Sequence, residues 1–327
     1  MEMNILVTGG AGFIGSHLVN TLANQGLKIT VLDNFQKGKI NNILNKRKST
    51  ENIKVIKIDI TDNSTNLPDI IKRDDITLVY HLAAITSVHE CENNREKAFK
   101  VNVEGTLKIL EACIKATNNK VTLVFSSSAA VYGDIPAVAV TEEHECNPIS
   151  FYGFTKLMAE ELIKTYSTNY GLKSIILRIF NVFGRKDSEI EHAGVVDKFI
   201  TNALTGEEII IRGDGNQVRD FIHVDDVVST LILASRYSER MNNPWSIFNI
   251  GSGRGLSINQ LAEAVIKAAN LRRERVTYFP AQKYDIKYSV ADITKARKIL
   301  GFSPRITPEE WINNRIKSGN IRKGGDV

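Results

Sequence analysis

The chain has 327 residues, 43% of them hydrophobic and 24% charged, with 42 Lys and Arg against 37 Asp and Glu for a formal charge of +5. That is the make-up of a globular protein long enough for two domains. The basic residues are spread along the chain, whereas a nucleic-acid groove concentrates them, and no apolar run reaches the ~18 residues of a membrane span, so neither nucleic acid nor membrane is an expected partner.

In chain order, the first apolar run covers residues 4–8 and ends in glycines. Helical spacing follows over 13–25, with Gly26 where a helix should stop. Further apolar runs lie at 28–32, 55–58, 78–81, 122–126 and 174–178, with helical segments at 98–116 and 151–170 between the later ones. Short apolar strands separated by helices of this length predict βαβ units and a buried parallel sheet. The expected fold class is therefore α/β: a Rossmann-type doubly wound parallel sheet with a smaller C-terminal substrate-binding domain. Beyond Asn181 loops lengthen and strands shorten, yet 246–251 again reads as a strand and 258–269 as an amphipathic helix. A first domain over 1–180 with a returning segment near 220–270, and a discontinuous second domain mainly over 181–327, are expected. Lys46-Arg47-Lys48 and the basic tail at 315–323 read as solvated surface.

Cys91, Cys113 and Cys146 have no CxxC spacing and are too few for a disulfide framework, so a reducing compartment, the cytoplasm, is expected. The six histidines have no metal-binding spacing, and no metal is expected. The N-terminus lacks a basic segment and a cleavage site, so it does not read as a signal peptide.

Three clusters carry chemistry. Thr8-Gly9-Gly10-Ala11-Gly12-Phe13-Ile14-Gly15 contains GxxGxxG and, from Gly10, GxGxxG. Early glycines allow a tight turn, Gly12 lets backbone amides approach a pyrophosphate, and Gly15 lets the helix pack closely. The helix N-terminus supplies unpaired N–H groups to the phosphates. Asp33 ends the second strand, 18 residues after Gly15, where a carboxylate accepts from both ribose hydroxyls and repels a 2′-phosphate, favouring NAD over NADP. Nearby Lys37 and Lys39 weaken that preference slightly, and Asp33 also suits a plain turn. The second cluster, Phe125-Ser126-Ser127-Ser128-Ala129-Ala130-Val131-Tyr132-Gly133, follows the fifth strand at the ligand-binding edge of such sheets. In the third, Tyr152-Gly153-Phe154-Thr155-Lys156, Tyr152 and Lys156 share a helix face at i and i+4. Free tyrosine, with a pKa of about 10, is a poor base, but a neighbouring ammonium and an oxidised nicotinamide favour its phenolate. Tyr152 is then the base that takes a proton from a sugar hydroxyl, Lys156 holds the nicotinamide ribose, and Ser128 hydrogen-bonds the same substrate oxygen. A bare YxxxK equally suits a solvated helix face; its order after a glycine loop and a serine strand favours the catalytic reading.

Together these clusters resemble the extended short-chain dehydrogenase/reductase family, in its NAD-dependent epimerase/dehydratase group, over nearly the whole chain. Further segments fit in order: Asp59-Ile60, His81-Leu82-Ala83-Ala84, Asn102-Val103-Glu104-Gly105-Thr106, Arg178-Ile179-Phe180-Asn181, and Arg219-Asp220-Phe221-Ile222-His223-Val224-Asp225-Asp226. The resemblance implies that Asn34, Asp59 and Ile60 join Asp33 around the adenosine, and that Leu82, Ala83, Ala84, Asn102 and Phe180 lie along the cofactor. It also implies a UDP-sugar site built from Thr86, Ser128, Tyr152, Asn181, Val195, Val196, Ile210, Arg212, Arg219 and Asp285. Arg219 would grip the diphosphate through its bidentate fork, although alone it also suits a surface ion pair with Asp220 or Asp225. The most similar members are UDP-glucose 4-epimerases. Sugar dehydratases carry an Asp-Glu pair where Ser128 is followed by Ala129 and Ala130, which disfavours dehydration. The expected activity is an NAD-dependent UDP-hexose 4-epimerase, with glucose and galactose or their N-acetylated forms as sugars. Another nucleotide-sugar enzyme of the family, such as a UDP-glucuronate epimerase, dehydratase or reductase, is the alternative, and a non-catalytic NAD-binding regulator the third reading. Two departures stand out. Gln282 occupies the position of a second phosphate-binding arginine, with Lys283 beside it, and Ser289 is small where some epimerases have a bulky tyrosine. Relatives often dimerise through two helices per subunit, here 98–116 and 151–170, so a homodimer is expected.

Overall fold

The computed structural model describes residues 3–44, 51–117, 121–135, 138–184, 194–272, 275–281 and 283–323. Lys46-Arg47-Lys48 and Gln282 lie outside them. The first six strands are β1 (Asn4–Thr8), β2 (Lys28–Asp33), β3 (Ile53–Lys57), β4 (Leu78–His81), β5 (Thr122–Ser128) and β6 (Lys173–Ile179). Later strands are β7 (Asn181–Phe183), β8 (Ile209–Arg212), β9 (Val218–His223), β10 (Trp245–Ile250), β11 (Gly255–Ser257), β12 (Val276–Phe279) and β13 (Tyr288–Ser289).

Seven strands form one sheet in the order β10-β6-β5-β4-β1-β2-β3, every pair parallel. The strand order reverses between β1 and β4, which opens the crevice where such sheets bind ligands. Both faces are buried, as parallel sheets require. Ile5, Val7, Tyr80, Leu177 and Phe248 pack on one face, while Leu6, Val79, Leu123, Phe125 and Ile176 pack on the other. At one edge of this sheet the six residues of β10 pair with β6 from Trp245↔Ser174 to Ile250↔Ile179.

A second, smaller body surrounds a core of Phe183, Phe199, Ile211, Leu261 and Trp311. Its β9 pairs with β7, β11 and β13, and β8 pairs with β12. Helix Val224–Tyr237 directly continues β9 but packs back on helix Phe13–Asn24 of the main sheet. That connection places the second body over the carboxyl edge of the main sheet, with the crevice between them.

Candidate active site

The crevice is a cavity of about 1130 Å³. Its floor is the glycine loop. Gly12 caps helix Phe13–Asn24 without a side-chain hydrogen bond, and no acidic residue stands in the first turn. The helix N-terminus and its partial positive charge therefore face the cavity. The chain can turn this tightly only because position 15 is glycine: a Cβ there would lie 2.2 Å from the Gly9 carbonyl.

Asp33, at the end of β2, accepts from Ala11 N at 2.9 Å and Phe35 N at 2.8 Å. Those bonds fix the carboxylate against the loop and leave lone pairs for a further donor. Asn34 donates to Asp59, whose other oxygen accepts from Thr61 N and Oγ1. Burial raises the Asp59 pKa, but the hydrogen bonds from Thr61 and Asn34 outweigh it and hold the carboxyl below its ordinary value. Gly9, Gly12, Phe13, Ile14, Gly15, Asp33, Asn34, Asp59, Ile60, Leu82, Ala83, Ala84 and Phe180 all line the cavity.

Asn102 does not line it. It sits in a π-helical turn, Lys100–Glu104, between helices Arg95–Phe99 and Gly105–Thr117. Its amide donates to Ile85 O and Thr155 Oγ1, both at 3.0 Å, and accepts from Ile85 N at 2.8 Å. It thus ties the wall after β4 to the helix that carries Tyr152 and Lys156. Behind it His81 is wholly buried, with Nδ1 2.7 Å from Thr8 Oγ1 and Nε2 3.0 Å from Thr106 Oγ1. Thr106 spends its proton on Asn102 O, so it accepts from Nε2–H, while Thr8 accepts from Leu82 N and Ala83 N and so donates to Nδ1. The network fixes one neutral tautomer. Burial, then the neighbouring Lys156 charge, pulls the His81 pKa down to about 3.

The serine strand runs two residues further than the apolar run suggested, pairing Ser127 with Arg178 and Ser128 with Ile179. Ser128 caps a short turn, Ala129–Val131, by accepting from Ala130 N. Helix Phe151–Tyr170 lies directly on that turn. A Cβ on Gly153 would come within 2.4 Å of Ala130 O, so glycine at this position brings Tyr152 up to Ser128. Ser128, Tyr152 and Lys156 line one stretch of the cavity. Burial pushes the Tyr152 hydroxyl up to about 12, with Ser128 pulling it down and Cys91 pushing it up. Burial likewise lowers Lys156 to about 7, against the raising effect of Glu160 and Cys91. A base at neutral pH therefore needs further positive charge beside Tyr152.

Below the pair lies a network that motif reading missed. Glu160 and Arg178 are both buried, with Nη2 to Oε2 at 2.7 Å and Nε to Oε1 at 3.1 Å. Ser127 donates to Glu160, and the Arg178 guanidinium stacks 4.7 Å over the Tyr132 ring. Glu160 is one helical turn beyond Lys156, so the same i, i+4 spacing signals it in the sequence.

On the other wall Arg219 donates to Asp285 at 2.5 Å and to Val218 O at 2.9 Å. Asp220, one of its alternative partners, is buried and accepts from Ser252, Gly253 and Ala291 instead, and Asp225 contacts His17. Thr86, Asn181, Arg219, Asp285 and Ser289 line the cavity. Val195, Val196, Ile210 and Arg212 do not: Val196 is buried with the second core, Val195 packs against it, and Ile210 and Arg212 are exposed on alternate positions of β8. Among the described residues no cluster of His, Cys, Asp and Glu could hold a metal ion, and no helix is long and apolar enough to cross a membrane.

A family model for the NAD-dependent epimerase/dehydratase family matches residues 5–251. The chain belongs to this family. NAD is the epimerase/dehydratase cofactor, and the uncapped helix, the glycine loop and Asp33 fit a dinucleotide without a 2′-phosphate. A putative UDP-glucose 4-epimerase from Methanocaldococcus jannaschii is 36% identical over 319 residues, covering 97% of this chain and 99% of that one. A UDP-N-acetyl-alpha-D-glucosaminuronate decarboxylase from Bacillus cytotoxicus is 31% identical over 327 residues, covering 97% and 98%. Among solved structures, the UDP-glucose 4-epimerase of Thermotoga maritima with UDP-glucose superposes with a TM-score of 0.87 at 36% identity, covering 98% and 99%. This member of the epimerase/dehydratase family thus resembles both epimerases and decarboxylases along its full length.

Proposed function

We propose that the protein is a UDP-hexose 4-epimerase that interconverts UDP-glucose and UDP-galactose, and accepts their N-acetylated forms. The observation that carries this reading is the end of β5. Ser128 meets Tyr152 and Lys156 there, and the next two cavity-lining residues are Ala129 and Ala130. Elimination of water needs a second acid beside the sugar, and decarboxylation of a keto-uronate leaves an enolate that needs a proton donor. Neither alanine can serve, whereas epimerisation needs one proton acceptor that returns the same proton.

NAD, when bound, would supply a reversible hydride acceptor for sugar C4. Tyr152 takes the C4 hydroxyl proton as that carbon is oxidised, and Ser128 hydrogen-bonds the same oxygen. Lys156 keeps positive charge beside the phenolate and holds the nicotinamide ribose. The 4-keto sugar turns over in the cavity, so that the hydride comes back to the opposite face of C4 while Tyr152 returns the proton to the C4 oxygen. A volume of about 1130 Å³ supports that rotation beside a dinucleotide. Arg219, already oriented by Asp285, is the diphosphate ligand, and Asn181 the neighbouring polar contact. Small Ser289 in the wall leaves space for an acetamido group. Exposed Phe154 and Tyr170 on the Tyr152 helix support pairing of two copies, which a sedimentation mass reads directly.

The test is NMR of the purified protein with UDP-galactose and no added reductant. The expected outcome is an equilibrium mixture with UDP-glucose, and loss of at least ~10²-fold in rate in Tyr152→Phe. UDP-N-acetylglucosamine and UDP-glucuronate are run alongside. Turnover of the uronate alone would replace the hexose assignment, and equal exclusion of both N-acetylated sugars would remove the role given to Ser289.

A further inference from the structure

The Lys156 amine is almost without solvent, the residue being 3% exposed. An ammonium has three donors to satisfy, yet among the described residues no hydrogen bond is formed to its Nζ. Glu160, the nearest carboxylate on its own helix, is turned to Arg178 and Ser127. What the ammonium does meet is an aromatic face: Nζ stands 4.2 Å from the centroid of the Phe125 ring. The ring cannot move away. Phe125 is buried in β5, pairs in register with His81 on β4 and Ile176 on β6, and packs on the His81 ring at a centroid distance of 5.6 Å.

We propose that Phe125 is a positioning residue for Lys156: its ring face, fixed by the sheet and by His81, holds the ammonium at the cavity wall that Tyr152 also lines and favours its charged form. The ring quadrupole attracts a cation. A carboxylate in its place would form a tight pair and pull the ammonium out of the site, whereas a ring face holds charge without competing for its protons. The three N–H bonds remain available to the cofactor ribose, so the proposal rests on the role given to Lys156 above. The other groups facing the ammonium act in different senses. Tyr152 is on the same helix, Glu160 and Cys91 favour the charge, and His81 is held neutral and adds no repulsion.

The experiment replaces Phe125 with mono-, di- and trifluorinated phenylalanine by site-specific incorporation. Successive fluorines withdraw the quadrupole at nearly constant volume. The protein carries lysine labelled with ¹³C at Cε, and the signal lost in Lys156→Arg identifies Lys156. Its shift is followed against pH without substrate. The expected result is a midpoint that starts near 7 and falls stepwise by ~0.4–1.5 pH units over the series. Phe125→Leu, if it folds, should fall by a similar amount. A midpoint that stays constant across the fluorinated series would overturn the proposal. Because no sugar is present, a wrong substrate assignment leaves this titration unchanged and appears only as absent conversion by the wild type.

Discussion

Replacing Arg178 by methionine isolates the cost of a buried charge. Arg178 and Glu160 side chains are 3% and 0% exposed, and the guanidinium gives Glu160 three short contacts. Arg178→Met preserves much of the aliphatic stem and leaves Glu160 with Ser127 as its one remaining donor among those contacts. Removing one partner of such a pair costs about 3–5 kcal/mol, because the other charge stays desolvated. Against a typical total of 5–15 kcal/mol this is a large share, and the urea midpoint should fall by about a fifth or more. The double variant Arg178→Met/Glu160→Met should recover most of the loss, since an apolar pair of similar volume is commonly neutral or better. Urea titrations of the three proteins at pH 7 provide the measurement. A single variant within 1 kcal/mol of wild type, or a double variant no better than the single one, would refute the reasoning.

Two further predictions concern the glycine loop and the buried histidine behind the cavity. Gly15→Ala drives a methyl to 2.2 Å from Gly9 O and must open the glycine loop, so dialysed protein should lose its bound NAD, read by absorbance after acid extraction. His81, lowered to about 3 by burial and then by Lys156, stays neutral in the folded protein while the unfolded chain protonates near 6.5. The unfolded state therefore binds more protons below that pH, and stability should decline as pH falls through about 6.5 towards 3; this part of the decline should be missing in His81→Asn when Tm is followed against pH.

Much of this molecule was legible in the sequence because its strands are buried on both faces and read as unbroken apolar runs. The 3.6-residue period also announces which helix positions converge, so Tyr152 and Lys156 could be paired before any coordinates. Extents and partners were harder. Ser127 and Ser128 do not look like strand residues, yet the ladder to Arg178 and Ile179 carries them. Glu160 could be located by spacing, but its partner lies 18 residues on, across a strand whose register is a tertiary fact. The π-helical turn that aims Asn102 between Ile85 and Thr155 leaves no period of its own. For β8, the alternation that exposes Ile210 and Arg212 fixes a spacing and not a side of the sheet.

The strand β10 has a consequence for how the protein is made. β6 is finished at Ile179, but its outer neighbour is complete only at Ile250, about 70 residues later. At a synthesis rate of ~5–20 residues per second, the emerging chain carries Ser174–Ile179 as a bare apolar edge for roughly 4–14 seconds. Such an edge invites pairing with another nascent chain. The first half of this enzyme is therefore born unfinished, and a gene cut after the apparent cofactor domain would encode a protein that never closes its own sheet.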